Sequence, residues 1–130
     1  MTNISAAITA VGGYVPDYIL TNQILETMVN TNDDWIISRT GIKERRILKG
    51  DNKGTSFMAI QAAKSLIKKN TIDPKTIDLV VVATATPDMK AASTSAYTAS
   101  EIGATNAFAF DIDAACSSFL FGMSIAARYI

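Results

Sequence analysis

Apolar positions in this chain alternate between short β-type runs and stripes at helical spacing. Leu79 to Ala85 (Leu-Val-Val-Val-Ala-Thr-Ala) is a continuous, largely β-branched run, the pattern of a strand covered on both faces. Ala107 to Ile112 is a second apolar run, with aromatics at Phe108 and Phe110, and reads as a buried strand. A looser alternation from Ile4 to Val11, closed by Gly12-Gly13, predicts an earlier strand ending in a glycine turn. Tyr14 to Asp17 reads as a loop.

Helical signals fill the intervals. Thr21 can cap a short helix carrying Ile24, Leu25, Met28 and Val29. Thr31 or Asn32 can cap a second, Asp33 to about Arg39, with acidic residues in its first turn and Gly41 at its end. Thr55 or Ser56 can cap a longer one, Phe57 to about Lys69, striped by Met58, Ala62, Leu66 and Lys69. Asp73-Pro74 starts a turn, and Thr94 to Ile102 reads as a helix closed by Gly103. Phe119, Leu120, Met123 and Ala127 predict a last helix from Ser117 to about Tyr129. Strands alternating with helices imply an α/β fold with a parallel or mixed sheet. No repeat, linker or low-complexity tract marks an internal boundary.

Composition narrows the class. With 130 residues, 48% hydrophobic and 18% charged, the chain is long enough for one ordinary core. Its formal charge is zero, which argues against a general nucleic-acid binder. No apolar run approaches a membrane span of roughly 18 residues, and the N-terminus lacks a signal-peptide pattern. A soluble cytoplasmic protein is expected. The final helix is still apolar-periodic at Ile130 with no glycine stop, which reads as a truncation.

The chemistry concentrates at the only cysteine, Cys116, at a sharp strand-to-helix turn. Unpaired N–H groups and partial positive charge at a helix start favour a negatively charged sulfur. They also offer donors to an oxyanion formed when sulfur attacks a carbonyl. Against this, a lone cysteine is commonly a small buried hydrophobe. A nucleophilic cysteine also needs a base such as histidine, and the chain has none.

Trp35 and Arg39 lie four apart on one helical face. They could hold an adenine by stacking and a phosphate by charge-assisted hydrogen bonds. The alternative is a half-buried tryptophan under an arginine stem. Lys43-Glu44-Arg45-Arg46 mixes signs and reads as a solvated surface segment. Asp111 and Asp113 are expected as caps or structural hydrogen-bonders. One cysteine and no histidine set zinc aside, and Gly12-Gly13 lacks the rest of a phosphate-loop pattern.

Three stretches together resemble β-ketoacyl-[acyl carrier protein] synthase III, the initiating condensing enzyme of bacterial type II fatty acid synthesis. They are Asp33-Asp34-Trp35-Ile36 through Arg39-Thr40-Gly41-Ile42-Lys43-Glu44-Arg45-Arg46, Ile77 to Asp88, and Ala107 to Ser117. The resemblance runs from about Ile4 to Ile130. It implies a thiolase-like fold of two similar α/β halves, of which residues 1–130 would be an incomplete N-terminal half with a mixed, mostly parallel sheet and covering helices. It implies that Cys116 takes an acyl group from acetyl-CoA or another short acyl-CoA. Malonyl-acyl carrier protein then condenses with that group, aided by a histidine and an asparagine of the second half. Thr31, Trp35 and Arg39 match the family's CoA contacts. No metal or cofactor is implied beyond the CoA thioester substrate. The implied partners are acyl-CoA and acyl carrier protein, with a homodimer at full length, and neither nucleic acid nor membrane.

Two departures stand out. The family's Phe-Pro pair, whose aromatic reaches the partner's acyl pocket, corresponds to Ala91-Ala92 here, so the pocket is expected to be larger or looser. The family's Cys-Ser-Gly or Cys-Ala-Gly reads Cys116-Ser117-Ser118, and a side chain at Ser118 is expected to crowd the helix against a neighbouring strand. A non-catalytic thiolase-like binding subunit is the alternative. A free-standing cysteine hydrolase is a third reading, disfavoured by the missing histidine.

Overall fold

The structure, a computed structural model, describes residues 6–130. Its elements run β1 (Tyr18–Thr21), α1 (Asn22–Glu26), α2 (Asp33–Thr40), β2 (Glu44–Ile47), α3 (Thr55–Asn70), β3 (Leu79–Ala83), α4 (Thr94–Ile102), β4 (Phe108–Ile112) and α5 (Ser118–Ala126). Short 3₁₀ turns cover Pro74–Thr76 and Ala115–Ser117. The chain divides into two compact units: Val15–Lys53, and the residues up to Tyr14 together with Gly54–Ile130. Composition gives no hint of this division, because the larger unit is discontinuous and no linker-like stretch marks the excursion.

In the Val15–Lys53 unit, β1 pairs antiparallel with β2, from Tyr18 opposite Ile47 to Thr21 opposite Glu44. The Lys43–Arg46 cluster, expected as a solvated segment, is therefore largely a strand. Its charges conceal the period-2 pattern because only one of its residues turns inward. That residue is Arg45, whose Nη1 and Nη2 both donate to Asn22 Oδ1 at 2.9 Å. Asn22 is fully buried, and its Nδ2 donates to Asp33 Oδ1 at 2.7 Å and to the Ile42 carbonyl at 2.8 Å. One side-chain amide thus joins α1, the start of α2 and β2, with every donor and acceptor used. The local caps follow the sequence. Thr21 accepts from Ile24 N–H, Asn32 rather than Thr31 accepts from Trp35 N–H, and Gly41 closes α2 in the left-handed region.

In the larger unit β3 and β4 are parallel and in register, Leu79 opposite Phe108 through Ala83 opposite Ile112. The β3 strand stops two residues short of Ala85, where Thr86 N–H bonds back to Thr84 Oγ1 at 3.1 Å and the chain turns. The strand expected from Ile4 to Val11 falls partly outside the described residues. From Ala6 onward that stretch is unpaired, with Ile8 and Val11 exposed. Strand pairing among the described residues is therefore one parallel pair and one separate antiparallel pair.

Leu79, Val81 and Ala83 line a cavity with Phe119, Gly122 and Met123 of α5, whereas Asp111 reaches the start of α4. Period-2 alternation then places α4 and α5 on opposite faces of the pair. The α5 face against the sheet uses small buried residues, Ser118 and Gly122. Phe119 and Leu120, which give the helix its sequence signal, are each 67% exposed. Close approach of a helix to a flat sheet leaves little room for large side chains at the contact.

The α3 helix starts at Thr55, and its deepest positions are Ser56 and Ile60, not the Met58–Lys69 stripe. Neither Thr55 nor Ser56 caps it. The Asp88 carboxylate, from the loop after β3, accepts from Thr55 N–H at 2.6 Å and Ser56 N–H at 2.8 Å. A side chain at Gly54 would collide with that carboxylate. Asp111 does the same for α4, accepting from Thr94 N–H at 2.7 Å and Ser95 N–H at 2.8 Å, beside the local Ser93 cap.

Burial pushes the Asp111 carboxyl up, but the Ser95 and Thr94 N–H bonds outweigh it and hold the carboxyl below its ordinary value. The Ser95 and Thr94 hydroxyls add to this from nearby, although neither reaches hydrogen-bonding geometry. A carboxyl lowered on folding stabilises the fold above its unfolded pKa of about 3.9. That contribution is lost as pH falls through the lower folded value. Asp111→Ala is accordingly expected to cost about 1–2 kcal/mol at pH 7, with the gap to wild type narrowing towards about pH 3. Urea unfolding at both pH values measures this, and an undiminished gap would mean that charge is not what holds the helix start. Asn22→Ala should cost about 1–3 kcal/mol, because Asp33, Arg45 and the Ile42 carbonyl lose their partner. Emission from Trp35, the only tryptophan, follows the unfolding of that unit.

Candidate functional site: a cysteine turn and a tryptophan–arginine pair

In the Val15–Lys53 unit, α2 carries Trp35 and Arg39 on one face. The Arg39 guanidinium carbon lies 4.9 Å from the indole centroid, a cation–π distance. Trp35 is nevertheless 53% exposed, so the arginine does not cover it. A cavity of about 510 Å³ opens beside the indole, lined by Leu25, Val29, Thr31, Trp35 and Ile36 among others. Thr31 and Trp35 thus share one space, with apolar and amide side chains on its walls. Arg39 does not line it, but stands over the ring at the end of α2, where a cation complements the helix dipole. The bland reading describes the Trp–Arg contact, while the open half of the indole and the adjoining cavity suit a flat heterocycle.

In the larger unit Cys116 is a free, exposed thiol. It sits one residue earlier than a helix mouth would place it, inside the Ala115–Ser117 3₁₀ turn between β4 and α5. Ala115, just before it, has φ +48°, a left-handed conformation costing a non-glycine residue about 1–3 kcal/mol. Side-chain hydrogen bonds hold that residue and the one before it. Asp113 Oδ1 accepts from Ala115 N–H at 3.0 Å. Ser118 Oγ accepts from Ala114 N–H at 2.7 Å and donates to the Ala115 carbonyl at 2.8 Å. Ser118 is buried and bonded on both sides, so the expected crowding is instead an anchoring. Neither the 3₁₀ turn nor α5 has a side-chain cap; the Ser117 N–H instead donates to the Ala114 carbonyl at 3.0 Å and the Ser118 N–H to the Ala115 carbonyl.

Asp111 and Asp113 do not act as a pair, since one caps α4 and the other braces Ala115. The left-handed conformation of Ala115 escapes a sequence reading, because alanine does not signal such a turn, and Ser118 is legible there only as a departure expected to crowd the helix. Among the described residues, no three His, Cys, Asp or Glu side chains converge. No helix among them is long and apolar enough to cross a membrane.

No family model matches the chain. All 130 residues align at 54% identity with "Beta-ketoacyl-[acyl-carrier-protein] synthase III 2" of Bacteroides thetaiotaomicron, covering 39% of that protein. A Porphyromonas gingivalis protein named beta-ketoacyl-[acyl-carrier-protein] synthase III is 49% identical over the same 130 residues, again 39% of its length. The crystal structure of 3-oxoacyl-[acyl-carrier-protein] synthase III from Aquifex aeolicus superposes with a TM-score of 0.86 at 42% identity, over 92% of this chain and 38% of that one. The Thermus thermophilus synthase III gives 0.90 at 35% identity, over 96% and 38%. The chain is thus a relative of β-ketoacyl-[acyl-carrier-protein] synthase III along its whole length and shares the thiolase-like α/β fold, while spanning about 39% of the curated relatives it matches.

Proposed function

We propose that this chain is the N-terminal, cysteine-bearing part of a condensing acyltransferase that starts fatty acid synthesis. The observation carrying this reading is an exposed Cys116 on a strained strand-to-helix turn, in a sequence 54% identical to a synthase III. The Cys116 sulfur attacks the thioester carbonyl of acetyl-CoA or another short acyl-CoA. A bond from the acyl carbon to Cys116 forms, the bond to the CoA sulfur breaks, and CoA leaves carrying the proton that Cys116 gives up. Malonyl-acyl carrier protein then loses carbon dioxide, and its carbanion attacks the acyl-cysteine. The 3-ketoacyl-carrier protein departs and the sulfur is released.

Thr31, Trp35 and Arg39 contact CoA in this reading. The indole takes the adenine and the guanidinium a phosphate, consistent with the half-open ring and its cavity. The histidine and asparagine that stabilise the malonyl carbanion would come from the rest of the full-length protein, since the chain contains no histidine. That protein would be a cytoplasmic homodimer using no cofactor beyond its CoA thioester substrate.

Incubation with acetyl-CoA, digestion and mass spectrometry should find an acyl thioester on the Cys116 peptide, absent from Cys116→Ala. CoA binding without any acyl-Cys116 would favour the non-catalytic binding subunit. Trp35→Ala should weaken CoA binding roughly tenfold, the loss of one base stack, while Cys116→Ala should leave binding intact. Residues 1–130 alone should form no ketoacyl product from acetyl-CoA and malonyl-carrier protein; steady turnover would overturn the view that essential groups lie elsewhere.

A further inference from the structure

We infer that Ser118 is a positioning residue for Cys116, its hydroxyl stapling the turn that presents the sulfur. This deepens the acyl-cysteine reading and rests on it. The Ser118 side chain is 4% exposed, and its single oxygen bonds to both sides of the strained residue. It accepts from Ala114 N–H at 2.7 Å and donates to the Ala115 carbonyl at 2.8 Å. Those two groups flank the φ rotation of Ala115, at +48°, the residue just before Cys116.

A non-glycine residue keeps that conformation only where its surroundings over-determine it, and alanine has no polar side chain to brace itself locally. Asp113 secures the N–H of Ala115 at 3.0 Å, and Ser118 secures its carbonyl with the hydroxyl as well as with the backbone N–H, while the hydroxyl alone ties in Ala114. The direction of the Cys116 peptide follows from that carbonyl, because the two share one planar unit. Ser118 also opens α5, so one hydroxyl fixes the end of the strand turn against the first residue of the helix. At the position where the resembled family has a glycine, this chain has a buried hydroxyl that holds the bend.

The test measures the rate of acyl-Cys116 formation from acetyl-CoA against acetyl-CoA concentration. Folded Ser118→Ala should acylate with a maximal rate lower by about tenfold or more, as expected when a reacting atom shifts by a fraction of an ångström. The acetyl-CoA concentration at half-maximal rate should be unchanged, since the CoA contacts lie elsewhere. Carbamidomethylation of Cys116 by iodoacetamide should slow much less, separating misplacement from lost intrinsic reactivity. An unchanged maximal rate in folded Ser118→Ala overturns the inference. A measurement on the unaltered protein stands apart from any variant: the Ala114 amide should exchange its hydrogen slowly, and exchange as fast as an open loop amide also overturns it. Wild-type protein that forms no acyl-Cys116 would instead remove the reading beneath it.

Discussion

The larger unit depends on a carboxylate placed where a helix begins. Asp111 projects from β4 towards α4 and takes two of the orphan N–H groups there. Taking a charge out of water is unfavourable, but two charge-assisted bonds and the helix dipole outweigh it, and the lowered carboxyl records which effect wins. The bond fixes how far along the strand the helix lies, which apolar packing of small residues alone would leave free to slide. Asp88 repeats the device for α3 from the loop after β3. Two helices are thereby indexed to the carboxyl ends of two parallel strands. Two residues beyond Asp111, Asp113 continues the same logic into the cysteine turn by bracing Ala115. The alternating aspartates of that stretch are one row of structural acceptors, reaching a helix on one side and a bend on the other.

What was legible in the sequence is what is held locally. The α4 boundaries follow from Ser93 and Gly103, each within a residue of the helix end, and α2 likewise from Asn32 and Gly41. The start of α3 was misplaced because its cap lies 33 residues away in Asp88, and no window contains both. Strand β2 was hidden because a two-stranded ribbon with one inward residue needs no apolar run. Its identity comes from pairing with β1 and from Asn22. Large residues on α5 announced a helix correctly and misled about its inner face, since hydrophobic spacing cannot distinguish packing against this sheet from exposure in the described chain. At the candidate site Cys116, Thr31, Trp35 and Arg39 could be named from motif and resemblance. The left-handed Ala115 could not, and Ser118 could be named only as a source of crowding, not as a bridge, because alanine and serine at those positions have many commoner uses.

The smaller unit shows the same economy in a different form. Asn22 is a poor helix former next to a good cap, and nothing beside it suggests importance. Its side chain nevertheless occupies the place where α1, α2 and β2 meet, and an aliphatic residue there would strand the Arg45 guanidinium, the Asp33 carboxylate and the Ile42 carbonyl without partners. A full set of bonds around one buried amide specifies geometry more narrowly than apolar contact does, because each bond has a direction. It sets where α2 begins, and α2 carries the indole. The orientation of Trp35 is thus inherited from a residue that touches neither the ring nor its cavity.

The exposure of Cys116 bears on its two readings, reactive thiol and small buried hydrophobe. A structural cysteine behaves as a small hydrophobe and is drawn inward. Here the inward places at the start of α5 are taken by Ser118 and Gly122, while the sulfur is left in solvent. Burying a hydroxyl and exposing a thiol reverses the ordinary preference of the two groups. The reversal is maintained by a left-handed alanine and the side-chain hydrogen bonds around it. A fold indifferent to the sulfur could relax that bend by placing glycine at Ala115, or exchange the serine for an apolar residue. Strain kept in place by such specific bonds is what the proposed role of the turn in presenting the sulfur would require.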